Sequence, residues 1–240
     1  MVSGSDGHGT PITVRAEQEG ITPAEVVDRF HPEFLRYWDE LGISFDLFTT
    51  TLTANHRETT QEILRGLHRN GFLEARTTRQ PYDPEVGRFL PDRYVEGTCP
   101  RCGSEGARGD QCDACGATLD PVDLLAPRSK MTGATPEFRE TEHWFLRLPL
   151  LADRLEAWLA GREGWRPHVI NWALGFVREG LQDRAITRDI DWGVPLPDDV
   201  MLADGEQKRI YVWFDAVIGY LSASREWARR TGDPEAWRAW

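Results

Sequence analysis

Apolar residues fall on one helix face at Val26, Val27, Phe30, Phe34, Leu35, Trp38 and Leu41, the three-and-four spacing of an amphipathic helix. Thr22-Pro23-Ala24-Glu25 supplies its start: a threonine cap, a proline at the first helical position and a glutamate placed for a capping box. Gly42 stops it. Thr10-Pro11 opens an earlier, shorter helix that ends before Gly20. Ile43 to Phe48 is β-prone, and Thr53 to Asn70 is again amphipathic, with Ile63, Leu64 and Leu67 on one face and Gly71 beyond it. From about Phe72 to Arg139 the periodicity breaks into short strands and turns, punctuated by Pro81, Pro84, Gly87 and Pro91. Helical spacing returns over Leu150 to Leu159 and over Pro167 to Glu179. Lys208 to Phe214 is almost continuously apolar from Ile210 onward, which predicts a buried strand, with a helix from about Val217 to Arg230.

This order predicts an α/β fold interrupted by a smaller insert. A parallel sheet wants a strand ahead of its first helix, yet the chain opens on a loop-and-helix signal, so its beginning is expected to lie inside a domain. Composition narrows the class. The 240 residues are 40% hydrophobic and 28% charged, an ordinary globular balance. A net charge of -11 argues against a general polyanion binder, although clustered arginines would still permit a local RNA-binding patch. Lys130 and Lys208 are the only lysines; codon bias toward a GC-rich genome accounts for that. No apolar run approaches the roughly 20 residues of a membrane span, and the N-terminus lacks the basic and apolar regions of a signal peptide. A cytoplasmic protein with no membrane partner is expected.

All four cysteines lie in two pairs, Cys99-x-x-Cys102 and Cys112-x-x-Cys115. Each pair brings two sulfurs to one ion from a tight turn, and Gly103 and Gly116 follow where the backbone folds back. Four thiolates complete a tetrahedral shell with no open position, so the expected group is one structural zinc. A redox dithiol or an iron–sulfur site is the alternative. Zinc of this kind assigns no activity, because such knuckles occur in unrelated proteins.

Three further segments carry chemistry. Gly4-Ser5-Asp6-Gly7-His8-Gly9-Thr10-Pro11-Ile12 is a glycine-rich loop entering a helix, and it presents a carboxylate and an imidazole. Ala185 to Pro195 contains Arg188 beside Asp189 and Asp191, which by spacing alone reads as a surface ion pair. Tyr211-Val212-Trp213-Phe214-Asp215-Ala216-Val217-Ile218-Gly219-Tyr220 reads as a strand ending in a turn, and strand ends are where open α/β sheets bind ligands. Taken alone, its aromatic stripe reads first as packed core.

As whole strings, these segments resemble the methionyl-tRNA synthetases, class I aminoacyl-tRNA synthetases, over essentially the entire chain. Tyr94 to Thr98 and Ala134 to His143 resemble that family's connective insert. The resemblance implies a Rossmann-like nucleotide fold, incomplete at both ends, interrupted by a zinc-knuckle insert. Residues 1–70 and 188–240 would form the two parts of the catalytic domain, and 71–187 the insert, with the knuckle at 99–115. It implies that Asp6 holds the α-amino group of methionine and that Arg188 serves the methionine carboxylate and the reacting centre. Trp213, Ala216, Val217 and Tyr220 would line the methionine side-chain pocket; the family often has proline where Val217 stands. A second knuckle found in some members is absent, since Ser129 and Gly133 stand where it would lie. His143, among aromatics, is read as structural.

The implied reaction activates methionine with ATP and magnesium to methionyl-adenylate, then transfers it to tRNA(Met). The family's His-x-Gly-His and Lys-Met-Ser-Lys-Ser signatures do not occur, and Lys130-Met131 lies in the insert instead. An interior piece is therefore expected, inactive by itself. The rival readings are a non-catalytic zinc module that binds RNA or protein, and another class I synthetase.

Overall fold

The computed structural model describes residues 1–203 and 208–239. It opens on a strand, β1 (Val2–Ser5), which pairs in parallel with β2 (Leu47–Thr50) from Val2 against Leu47 to Ser5 against Thr50. The helix-first opening expected from the sequence is thus corrected: four residues suffice for a strand once a parallel partner supplies the ladder. The crossover between them holds α1 (Thr10–Glu19) and α2 (Pro23–Glu40). Both termini follow local chemistry. The N–H of Glu25 donates to the Thr22 hydroxyl while the Glu25 carboxylate accepts from the Thr22 N–H, a reciprocal cap. Gly20 ends α1 at φ +66°, where a side chain would be strained.

After β2, Thr53 caps α3 (Ala54–Arg69) through the N–H of His56. The segment predicted to be all short strands opens on a long strand, and a second long one begins at its end. β3 (Leu73–Asp83) and β8 (Glu137–Leu146) run antiparallel, from Leu73 against Leu146 to Tyr82 against Glu137. Their polar composition hid them, because one face stays open to solvent. Flanked by β4 (Arg88–Phe89) and β9 (Arg184–Ala185), they make a four-stranded sheet. At its far end β6 (Ala107–Arg108), β5 (Val95–Thr98) and β7 (Leu125–Ser129) form the sheet that carries the cysteines. Helices α4 (Ala152–Ala160) and α5 (Pro167–Arg178) follow. Then β10 (Thr187–Asp189) pairs antiparallel with β11 (Lys208–Ile210).

The last element departs most from expectation. β11 stops at Ile210, and α6 runs from Val212 to Arg230. A short apolar run cannot by itself distinguish a strand from a buried helix turn. Here the N–H groups of Phe214 and Asp215 both donate to the Tyr211 carbonyl, closing the first helical turn. Trp213 is therefore no strand terminus: it lies on the first turn of α6, 66% exposed. Helix α6 packs on β1, β2 and α3. One core gathers Leu64, Leu73, Ile186, Val194, Leu196 and Ile210, and a second gathers Tyr94, Val95, Leu124, Cys99 and Cys112.

Candidate functional site

The loop after β1 is shaped by close approach. A Cβ on Gly7 would lie 2.0 Å from the Leu52 side chain, and one on Gly4 would lie 2.8 Å from the Thr49 carbonyl oxygen. The loop is pinned on both sides. The Gly7 N–H donates to Thr51 Oγ1 at 2.9 Å, and the Trp192 indole donates to the Gly7 carbonyl at 2.7 Å. Asp6 is thereby turned outward, its Oδ1 accepting the His8 N–H at 3.1 Å. Crowding by protein raises its carboxyl above the ordinary value, partly opposed by that N–H.

Trp213, Ala216, Val217 and Tyr220 occupy one face of α6, spaced three, four and seven residues along it. With Asp6 and the β1 and β2 ends they line a cavity of 260 Å³. Trp213, Val217 and Tyr220 are all more than half exposed. They are a wall facing open space, and the plain core reading of this stripe does not hold. Arg188 lines an adjoining cavity of 240 Å³, which shares Asp6 and Trp213 with the first. The sequence-predicted residues thus meet around two neighbouring hollows. The ion pair expected between Arg188 and Asp189 or Asp191 does not form. Strand alternation turns Arg188 away from Asp189; its guanidinium stacks on Tyr211 at 4.0 Å and approaches Asp92 at 3.6 Å.

Two buried polar clusters support these walls, and sequence reasoning named several of their members without joining them. Asp215 accepts from His8 at 2.6 Å and from His56. Burial alone would raise the Asp215 carboxyl, but the hydrogen bonds from His56 and His8 hold it below the ordinary value. Beneath Arg188, Lys208 donates to Asp189 at 2.5 Å and to Thr141 at 2.7 Å, and His143 meets Asp189 at 3.1 Å and Thr187 at 3.0 Å. Burial pushes the Asp189 carboxyl up, and the His143 and Lys208 bonds bring it below the ordinary value. The structural reading of His143 agrees with this packing. No local pattern could have found these clusters, because their members come from distant segments.

Cys99, Cys102, Cys112 and Cys115 converge with no disulfide among them. Sγ–Sγ separations are 3.9 Å for Cys99–Cys115 and 3.7 Å for Cys102–Cys112. A tetrahedral ion with bonds of about 2.3 Å to sulfur requires edges of about 3.8 Å, so the donor set and its spacing fit a four-thiolate metal centre. Gly103 and Gly116 adopt φ of +71° and +72°, and their N–H groups donate back to the Cys99 and Cys112 carbonyls. The crowded thiols split: the N–H groups of Cys102 and Arg101 help bring Cys99 down to about 7, while hydrogen bonds with Cys115 and burial push Cys102 up to about 12.

The fold is that of a class I synthetase, α/β in content, with a parallel strand pair followed by a largely antiparallel segment. Residues 1–240 match the family model described as tRNA synthetases class I (M), and the chain belongs to that family. It is 58% identical over its whole length to the methionine–tRNA ligase of Salinispora arenicola, covering 40% of that protein. It is 58% identical to the methionine–tRNA ligase of Thermobifida fusca, covering 39% of it. A crystal structure of Mycobacterium tuberculosis methionyl-tRNA synthetase bound by methionyl-adenylate matches with a TM-score of 0.63 at 25% identity. That match covers 93% of this chain and 39% of the other. The chain thus spans about two-fifths of the length of these curated relatives.

Proposed function

We propose that this chain is the methionine-recognising part of a methionine–tRNA ligase, which activates methionine with ATP and magnesium to methionyl-adenylate and transfers it to tRNA(Met). One observation carries the reading: the Asp6 carboxylate and the apolar face of α6 border one cavity of 260 Å³. An ammonium group wants a carboxylate, and a thioether wants polarizable, aromatic surroundings. Asp6 takes the α-amino group, while Trp213, Ala216, Val217 and Tyr220 enclose the side chain. Arg188, fixed by Tyr211 and two carbonyls at 2.9 and 3.1 Å, offers its charge to the methionine carboxylate across the adjoining hollow. Attack by that carboxylate on the α-phosphorus of ATP needs no nucleophilic side chain; these residues contribute position and charge.

In this reading residues 1–70 and 188–240 are the catalytic domain and 71–187 the insert. The four cysteines hold one structural zinc: thiolate sulfur suits that ion, and a closed shell leaves no position for substrate. A tRNA-charging role also fits a cytoplasmic location and four cysteines that form no disulfide. Titration calorimetry of L-methionine onto the chain tests the pocket. Saturable binding that is lost in Asp6→Asn is the expected result; no binding by the unsubstituted chain would overturn the reading. With neither phosphate-handling signature in its 240 residues, the chain alone is expected to give no methionine-dependent ATP–pyrophosphate exchange.

A further inference from the structure

His8, His56 and Asp215 come from the loop after β1, the first turn of α3 and the first turn of α6. His56 and Asp215 are completely buried, and the His8 side chain is 8% exposed. One carboxylate sits between two imidazoles: His8 Nδ1 lies 2.6 Å from Oδ2, and His56 Nε2 bonds Oδ1. A carboxylate only accepts, so each facing ring nitrogen carries its proton. The far nitrogen of His56 meets the Ser222 hydroxyl at 2.8 Å, which ties the cluster back into α6. Three such groups resemble a metal-ligand set. However, a tetrahedral ion bonded at about 2.1 Å to nitrogen and oxygen would hold them about 3.4 Å apart. The observed spacing is that of hydrogen bonds.

The members of this bridge adjoin both walls of the proposed pocket. His8 is two residues from Asp6 and donates its N–H to that carboxylate. Asp215 lies on α6 between Trp213 and Ala216. A buried, fully partnered charge tolerates little displacement, because losing either donor strands it in low dielectric. We propose that His8, Asp215 and His56 form a positioning relay that fixes the Asp6 loop against α6, so that amino-acid affinity depends on His56 and Asp215, which stand behind the walls and line neither hollow. The inference rests on the methionine reading of the pocket.

Calorimetry with L-methionine tests it. Asp215→Asn and His56→Ala are each expected to weaken Kd by about tenfold or more, as misplacement of a binding group does, with stoichiometry unchanged. His56→Gln, whose amide can still donate to Asp215, is expected to remain within about threefold of the parent. A merely structural role would lower the bound fraction and leave Kd alone, and that result overturns the relay. Should Asp215→Asn not fold, His56→Ala decides, and an unchanged Kd there overturns the relay. Loss of binding in Asp6→Asn beside unchanged Kd in Asp215→Asn refutes the relay and leaves the pocket standing. No binding by the parent chain overturns both.

Discussion

Replacing Lys208 with methionine removes a charge from the interior and keeps most of the side chain's length. Lys208 is fully buried, with Nζ 2.5 Å from Asp189 and 2.7 Å from Thr141. The change takes the lysine from a carboxylate whose side chain is only 9% exposed, leaving it Thr141 and His143. Breaking a buried pair from one side costs about 3–5 kcal/mol, because the partner stays desolvated. For a chain of this size that corresponds to a fall in Tm of about 6–20 °C. Urea unfolding followed by circular dichroism, with the m-value checked for constancy, measures it. Lys208→Met/Asp189→Asn is expected to lose less than the two single variants added together, by about 0.5–3 kcal/mol. A loss below about 1 kcal/mol for Lys208→Met, or strict additivity in the double variant, would refute the reasoning. The result bears on the site, because Thr187 and Asp189 anchor the strand from which Arg188 projects.

Acid should expose both carboxylate clusters. The folded pKa values of Asp189 and Asp215 are lowered, so their stabilisation is full above the ordinary value of about 3.9 and lost as pH falls through the lower folded values. Urea unfolding carried from about pH 5 downward should show the decline, and a decline equally steep in Asp189→Asn would remove Asp189 as a cause. Trp213→Ala is expected to weaken methionine binding in calorimetry yet change stability by no more than about 0.5 kcal/mol, since the indole is 66% exposed; a large loss of Tm would return Trp213 to a packing role. Native mass spectrometry should find one zinc per chain and none in Cys112→Ser, and full zinc retention in that variant would show the ligands to be misassigned.

Local chemistry was legible from residues alone. The cap at Thr22, the glycine stops, and helices α1 to α5 lie close to where spacing and capping put them, because their start and stop signals are local. The cysteine tetrad was legible for the same reason: its members lie within one short stretch. The boundary at Tyr211 was not. Its apolar run is compatible with strand or helix, and the outcome is set by how α6 packs on β1, β2 and α3. β3 and β8 were hidden because pairing across a long insert, with one face in solvent, leaves little alternation to read.

By itself the sequence determined that a glycine loop presents Asp6, that two cysteine pairs stand close together along the chain, and that aromatic residues recur between Trp213 and Tyr220. Those depend on neighbours along the chain. Tertiary structure decided that Trp213, Val217 and Tyr220 form an open wall, that Arg188 turns from Asp189 toward Tyr211 and Asp92, and that His8 and His56 share one buried carboxylate. Such a carboxylate must find donors wherever the fold brings them, and here they arrive from residues 8 and 56 to meet residue 215.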